Sequence, residues 1–254
     1  MSIEEGEDIS VNEFDSERKA GVYQAIHERR DMRHFRSDAI DPTIIEKLLL
    51  AAHAAPSVGM MQPWRIIRIA KPESRQALHQ LVERERVKTA EALGKRADEF
   101  MQLKVQGVLD CGEVWVVSLM DQRQRHVFGR RTMEQMDLAS ASCAIQNVWL
   151  AARAEGIGMG WVSIFEPEEV RQLLSMPDDT DPIAILCLGH VDSFYSQPML
   201  IQEGWAERGQ LQDYVMDDQW DSEKAERSQQ QWDQAKTLKV ERETSQRSTK
   251  PEDK

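Results

Sequence analysis

Apolar residues recur at intervals of three and four along several stretches of this 254-residue chain, and short uninterrupted apolar runs lie between those stretches. The first pattern is typical of amphipathic helices and the second of buried strands. The first pattern predicts six helices, over residues 17–29, 42–54, 73–86, 90–106, 133–155 and 167–174. The second pattern predicts four strands, over residues 64–70, 113–121, 159–165 and 183–191. Because the two kinds of element alternate, we expect a layered domain of the α+β or α/β class.

Three segments add detail to this pattern. Residues 183–188 are continuously apolar, as expected of a strand that is buried on both faces. Asp41 and Pro42 open the second helix as its N-cap and first-turn proline. The helix over 133–155 is rich in small residues, which allow another helix to approach closely. We expect it to be the central helix of the domain.

Both ends of the chain are polar and charged. Residues 1–17 contain seven acidic residues and no basic one, and residues 217–254 are rich in charged side chains, Gln and Ser. Such segments lack the apolar surface that ordering requires. We therefore expect an acidic flexible tail over 1–16, one domain with a C-terminal arm over 17–215, and a polar charged tail over 216–254.

Composition excludes several classes of function. A net charge of −12 argues against a nucleic-acid partner. No apolar run reaches membrane-spanning length and no signal region opens the chain, so we expect a cytoplasmic protein without a membrane partner. The six histidines show no metal-ligand spacing, and we expect no metal site. Cys143 and Cys187 lie in apolar contexts, which predicts buried structural thiols.

Charge is concentrated where the first helix ends. Residues 29–33 place three guanidinium groups and one carboxylate in five positions. A guanidinium is a permanently charged planar fork of donors that suits phosphate oxygens and anionic ring edges. Asp31 is then either the salt-bridge partner of these arginines or a polar group directed at a ligand.

Two further segments have an open backbone. Residues 54–64 set small residues between two prolines, and a planar ligand could approach this backbone closely. Residues 156–160 read Gly-Ile-Gly-Met-Gly between a helix and a strand. This order is the reverse of that in the dinucleotide-binding fingerprint, so by itself the motif indicates a helix C-cap and turn.

Together and in this order, the segments resemble the nitroreductase-like flavoprotein family, and most closely its BluB-type branch, the 5,6-dimethylbenzimidazole synthases. The resemblance covers roughly residues 14–215. Its specific features are an aspartate after the arginine pair and the run Gly-Trp-Val-Ser over 160–163, which general nitroreductases lack. Met60 departs from the family, in which a polar residue is common at this position, and this puts in doubt a flavin hydrogen bond from that side chain.

The resemblance implies an α+β nitroreductase-like fold with a central, mainly antiparallel sheet flanked by helices. It implies a homodimer with a domain-swapped C-terminal arm and with FMN at the interface. By the same resemblance, the cofactor-binding residues are Arg29, Arg30, Met32, Arg33, Pro56, Ser57, Val58, Gln62, Lys104, Gly160, Trp161 and Arg208.

The branch implies that reduced FMN is a substrate, which is broken down with O2 to 5,6-dimethylbenzimidazole, the lower ligand of vitamin B12, and erythrose 4-phosphate. Asp31 is the expected acid/base and Ser163 the expected hydrogen-bonding group near the reactive part of the flavin. A separate NAD(P)H-flavin reductase would supply the reduced FMN. Two alternatives stay open: an NAD(P)H-dependent nitroreductase and a non-catalytic flavin-binding protein.

Overall fold

A computed structural model describes residues 12–102 and 107–229, in two compact units that divide between Phe194 and Tyr195. Within the described residues, the helices of the first unit are α1 (Ser16–Glu28), α2 (Pro42–His53), α3 (Pro72–Leu93), α4 (Ala97–Gln102), α5 (Gly107–Asp110), α6 (Met136–Ala154) and α7 (Pro167–Leu173). Its strands are β1 (Trp64–Arg68), β2 (Glu113–Leu119), β3 (Gly158–Val162) and β4 (Asp181–Gly189).

The first two helices begin at side-chain caps. Asp15 accepts a hydrogen bond from the Arg18 backbone N–H at 2.8 Å, and Asp41 accepts one from the Thr43 backbone N–H at 2.8 Å. These bonds satisfy N–H groups that a helix leaves without partners at its start. The predicted role of Asp41 as an N-cap is confirmed.

The four strands form one sheet in the order β1-β2-β4-β3, and every neighbouring pair is antiparallel. The register places Val114 opposite Cys187 and Trp161 opposite Leu186, with an irregularity between Val117 and Ser118. The predicted α+β class with a central antiparallel sheet and flanking helices is confirmed.

Helices cover both faces of the sheet. Trp115 and Leu186 point to one face, where they join an apolar cluster with α2 and α6. Val116 and Ile185 are their neighbours in sequence and point to the other face, which α3 and α7 cover. This alternation is the period of two that a strand buried on both sides must have. The central position predicted for α6 is confirmed.

One predicted helix boundary is wrong. The pattern predicted separate helices over 73–86 and 90–106, but α3 runs without interruption through residues 87–89. Its buried positions recur every four residues and are Leu78, Val82, Arg86 and Ala90. The chain leaves the helix at Gly94, whose φ of +56° suits a residue without a Cβ.

The prediction for Cys143 is also wrong, because its thiol is exposed, whereas Cys111 and Cys187 are buried. Its neighbours Ala144 and Ile145 point into the core from α6, so Cys143 lies on the outer face of that helix. Among the described residues, no helix is long and apolar enough to cross a membrane.

The second unit contains α8 (Met199–Gln202) and a helical stretch over 222–229. The buried Asp213 accepts a hydrogen bond from Arg227 Nε at 2.8 Å. This bond ties part of the sequence predicted as a polar tail to the preceding arm. Residues 1–11 and 230–254 lie outside the described residues.

Candidate active site

The segment that carries Asp31 lies beside strand β3. The Met32 backbone N–H donates to the Met159 carbonyl oxygen at 2.9 Å. The Trp161 backbone N–H donates to Asp31 Oδ1, also at 2.9 Å. The two motifs that carry the resemblance are about 130 residues apart in sequence, and these two hydrogen bonds place them side by side.

Gly160 permits this close approach. A Cβ on Gly160 would lie 2.3 Å from the Met32 carbonyl oxygen, which is far inside van der Waals contact. The turn after α6 is made instead by Gly156, whose φ is +72°. The glycine motif therefore contains a turn residue followed by a close-packing residue, rather than a C-cap alone.

We expect Gly160→Ala to destabilise the fold by about 1–3 kcal/mol or more, because the new methyl group meets a backbone carbonyl that cannot rotate away. Urea denaturation followed by circular dichroism measures this change. Gly21→Ala is the matched control, since its methyl group would meet nothing within 4 Å. That control lies inside α1 and should be stabilising by about 0.5–1 kcal/mol. Equal denaturation midpoints for Gly160→Ala and the wild-type protein would refute the packing argument.

A cavity opens beside the Asp31 carboxylate. Its volume is about 120 Å³, which is small beside the ~300–1,000 Å³ of common ligand pockets. Residues from the arginine segment, α5, β3 and β4 form its wall. They are Asp31, Met32, Arg33, Phe35, Gly107, Gly160, Trp161, Val162, Ser163, Ile164 and Cys187.

Opposing effects set the acidity of Asp31. Burial raises the pKa of its carboxyl above the ordinary value, because the surrounding protein disfavours the charged form. The Trp161 N–H and the Arg33 guanidinium act against this rise, and Arg33 Nε lies 3.4 Å from Asp31 Oδ2. The side chain is 38% exposed, and it lines the cavity. Asp31 is thus both a partner of Arg33 and a polar group that a ligand can reach.

Two other polar side chains of the wall differ in character. Ser163 is exposed, and among the described residues its hydroxyl makes no hydrogen bond. It is therefore available to a ligand. A hydrogen bond with Cys111 and complete burial raise the pKa of the Cys187 thiol well above its ordinary value. Cys187 consequently stays neutral and acts as an apolar part of the wall.

The three arginines of the cluster have different surroundings. Arg29 lies over the ring of Trp149, 4.8 Å from its centroid. Arg30 donates to the His27 and Arg29 carbonyl oxygens at 2.7 and 2.8 Å and so caps the end of α1. Among the described residues of the cluster, Arg33 is the one arginine that lines the cavity.

The predicted residues between the two prolines lie elsewhere. Ser57 Oγ accepts a hydrogen bond from the Gln62 backbone N–H at 3.0 Å, and the Val58 N–H donates to Ser140 Oγ at 3.1 Å. Gln62 lines a second hollow between α2 and β1. Within the part of the chain that the structure describes, neither Gln62 nor residues 56–58 line the Asp31 cavity. Lys104 lies outside the described residues, and Arg208 belongs to the second unit.

Sequence reasoning missed five residues of the wall. Val162 lies inside the run over 160–163, Ile164 follows it directly, and Phe35 lies two residues after the arginine cluster. The alternation of side chains along an extended segment could have identified these three. Gly107 and Cys187 carry no chemical signal, since an apolar wall resembles any other core surface.

The nitroreductase family model matches residues 26–190, which is more than half of the chain. The chain belongs to the nitroreductase family. It is 35% identical to a 5,6-dimethylbenzimidazole synthase of Rhodobacter capsulatus over 76% of this chain and 95% of that protein. It is also 35% identical to a protein of the same name from Rhodospirillum rubrum, over 77% of this chain and 93% of that protein.

Solved structures agree on the fold. An oxidised iodotyrosine deiodinase bound to FMN and 3-iodo-L-tyrosine superposes with a TM-score of 0.63 at 17% identity. The superposition covers 79% of this chain and 100% of the deiodinase chain. It confirms the predicted nitroreductase-like fold.

Proposed function

We propose that this protein is an oxidoreductase that uses O2 to convert reduced FMN to 5,6-dimethylbenzimidazole and erythrose 4-phosphate. The observation that carries the proposal is the Asp31 carboxylate, held by the Trp161 N–H in a cavity built from the branch-specific motifs. The two relatives that bear the name 5,6-dimethylbenzimidazole synthase support it.

The residues present fit a bound flavin. Arg33 adds a fixed positive charge to the cavity, and a reduced flavin carries negative charge on its pyrimidine edge. Gly160 brings backbone rather than side chain to the wall, which suits a flat ring. When bound, reduced FMN supplies the electrons that reduce dioxygen.

The protein's own residues supply proton transfer and shelter from water. The raised pKa of Asp31 brings its carboxyl closer to working pH, where such a group exchanges protons efficiently. Ser163 can donate a hydrogen bond at the mouth of the cavity. Phe35, Val162 and Ile164 form an apolar wall that excludes water from a reaction with O2.

A homodimer with composite FMN sites is part of the proposal. The Asp31 cavity is small, and the predicted residues Ser57, Val58 and Gln62 lie outside it, which supports a site completed by a second copy of the chain. Helix α1 buries none of its residues, and its Tyr23 is 61% exposed. An exposed apolar helix face of this kind is typical of an interface. We further propose that a separate NAD(P)H-flavin reductase supplies the reduced FMN.

The deciding experiment is to mix the protein with chemically reduced FMN in air and follow flavin and products by chromatography. A synthase consumes the flavin and yields the benzimidazole. A nitroreductase returns FMN unchanged and consumes NAD(P)H when given an acceptor, and a flavin-storage protein does neither. Recovery of all the flavin as FMN would refute the proposal.

We expect Arg33→Ala to weaken FMN binding by about 1.5–3 kcal/mol, the range for a hydrogen bond to a charged group. Arg30→Ala should have a smaller effect, because the Arg30 guanidinium donates to carbonyl groups at the end of α1. Calorimetric titration of each variant measures the affinity. Arg36→Ala is the control, since Arg36 pairs with Asp38 on the surface. Equal affinities for Arg33→Ala and Arg36→Ala would mean that Arg33 serves structure only.

A further inference from the structure

Trp149, on α6, contacts the Asp31 segment at several points. Its indole Nε1–H donates to the Arg30 carbonyl oxygen at 3.0 Å. Arg29 lies over its ring, and the ring centroid of Trp161 is 6.4 Å from its own. One side chain therefore contacts the two residues that precede Asp31 and also the residue whose N–H holds the Asp31 carboxylate.

The bond to Arg30 matters because peptide units are planar. The Arg30 carbonyl and the Asp31 N–H belong to one rigid plane, so the indole fixes the orientation of the plane that enters the Asp31 Cα. The plane that leaves this Cα contains the Met32 N–H, which donates to the Met159 carbonyl oxygen at 2.9 Å. With both planes anchored, the two backbone dihedrals of Asp31 are fixed, and so is the direction of its Cα–Cβ bond, from which the carboxylate reaches the Trp161 N–H.

We propose that Trp149 is a positioning residue, which holds the Asp31 carboxylate in its reactive orientation through the Arg30 carbonyl. Trp149 does not line the cavity, so it would position the carboxylate without touching the flavin. The inference rests on the proposed function of Asp31 as acid/base. It adds that the proton-transfer group is aligned from α6 as well as by the segment's backbone hydrogen bond to β3.

The test is Trp149→Phe, which keeps an aromatic ring under Arg29 and beside Trp161 but removes the indole N–H. We expect single-turnover benzimidazole formation from reduced FMN to slow by about tenfold or more, since small misplacements of a reacting group have large effects on rate. The affinity for reduced FMN should change by less than about twofold, because the arginines keep their charge. More of the flavin should be recovered as intact FMN.

Trp115→Phe is the matched control. The Trp115 indole donates to Glu113 Oε2 at 3.0 Å and is fully buried in the core. The substitution removes the same N–H group, and it should lower the melting temperature at least as much as Trp149→Phe does. Its rate of product formation should nevertheless stay within about twofold of wild type, because its partner Glu113 pairs with Arg68 and not with the Asp31 segment.

A second measurement does not depend on activity. Hydrogen exchange at the Trp161 amide reports the bond to Asp31 Oδ1, and exchange at the Met32 amide reports the bond to Met159. Both amides should exchange several times faster in Trp149→Phe and at the wild-type rate in Trp115→Phe. If the wild-type protein makes no benzimidazole, the proposed function fails, and the exchange data alone decide whether Trp149 positions Asp31. Wild-type exchange at both amides in Trp149→Phe would overturn the inference, and so would a wild-type product rate.

Discussion

Asp31→Asn should bind reduced FMN almost as well as the wild-type protein while it forms benzimidazole about 10²–10⁴-fold more slowly, the usual worth of general acid–base assistance. The amide oxygen can still accept the hydrogen bond from the Trp161 N–H, so the geometry is kept. The amide cannot exchange a proton with the substrate. Product analysis after one aerobic turnover, with binding measured separately under anaerobic conditions, tests both parts of this expectation.

The same substitution has a predicted effect on stability. Burial raises the pKa of Asp31, so the folded protein binds more protons than the unfolded chain between the two pKa values. The neutral carboxyl stabilises the folded state below the ordinary Asp pKa of about 3.9. This stabilisation is lost as pH rises through the pKa that Asp31 has in the folded protein. At neutral pH, Asp31→Asn should therefore be at least as stable as the wild-type protein. Its advantage should shrink as the solution is made acidic.

These two measurements separate a catalytic role from a structural one. If Asp31 is only the salt-bridge partner of Arg33, Asp31→Asn should lower the urea midpoint at neutral pH and leave the product rate unchanged. That result would contradict the assigned role. Loss of flavin binding would contradict the expectation that Asp31→Asn binds reduced FMN almost as well as the wild-type protein does.

The fold was predictable from sequence where local pattern decides it. Short uninterrupted apolar runs predicted the four strands to within about two or three residues, because a strand covered on both faces needs apolar residues at successive positions. The break expected in α3 was wrong, because no glycine or proline interrupts residues 87–89. Buried residues recur every four positions through this stretch as far as Ala90, and helix α3 continues with them.

The site was predictable only in part. The motifs around Asp31 and Gly160 were recognised separately, and the structure brings them together through one backbone–backbone hydrogen bond and one from a backbone N–H to the Asp31 carboxylate. Nothing in either motif indicated that Gly160 is needed for packing, or that Trp149 anchors Arg30 from another helix. Such contacts depend on which elements become neighbours, and residue type gives no information about that.

The separation between the Asp31 cavity and the segment with Ser57 and Gln62 leads to the second large prediction. In a two-fold symmetric dimer with composite sites, each site combines two clusters: the Asp31 cavity of one chain and the segment with Ser57 and Gln62 of the other. A chain with Asp31→Asn and a chain with the pair Ser57→Ala and Gln62→Ala should each be inactive as homodimers. Unfolding and refolding them together should restore benzimidazole formation, because each mixed dimer then contains one site free of substitutions.

Random pairing makes half of the dimers mixed, and each mixed dimer has one intact site of two, so the refolded mixture should reach about a quarter of wild-type activity. The control is to combine the same variants after separate refolding, without subunit exchange, which should give no activity. Both clusters could instead belong to one site within a single chain. No mixed dimer would then have an intact site, and the co-refolded sample would stay inactive. That outcome would refute the composite site even if the protein is a dimer.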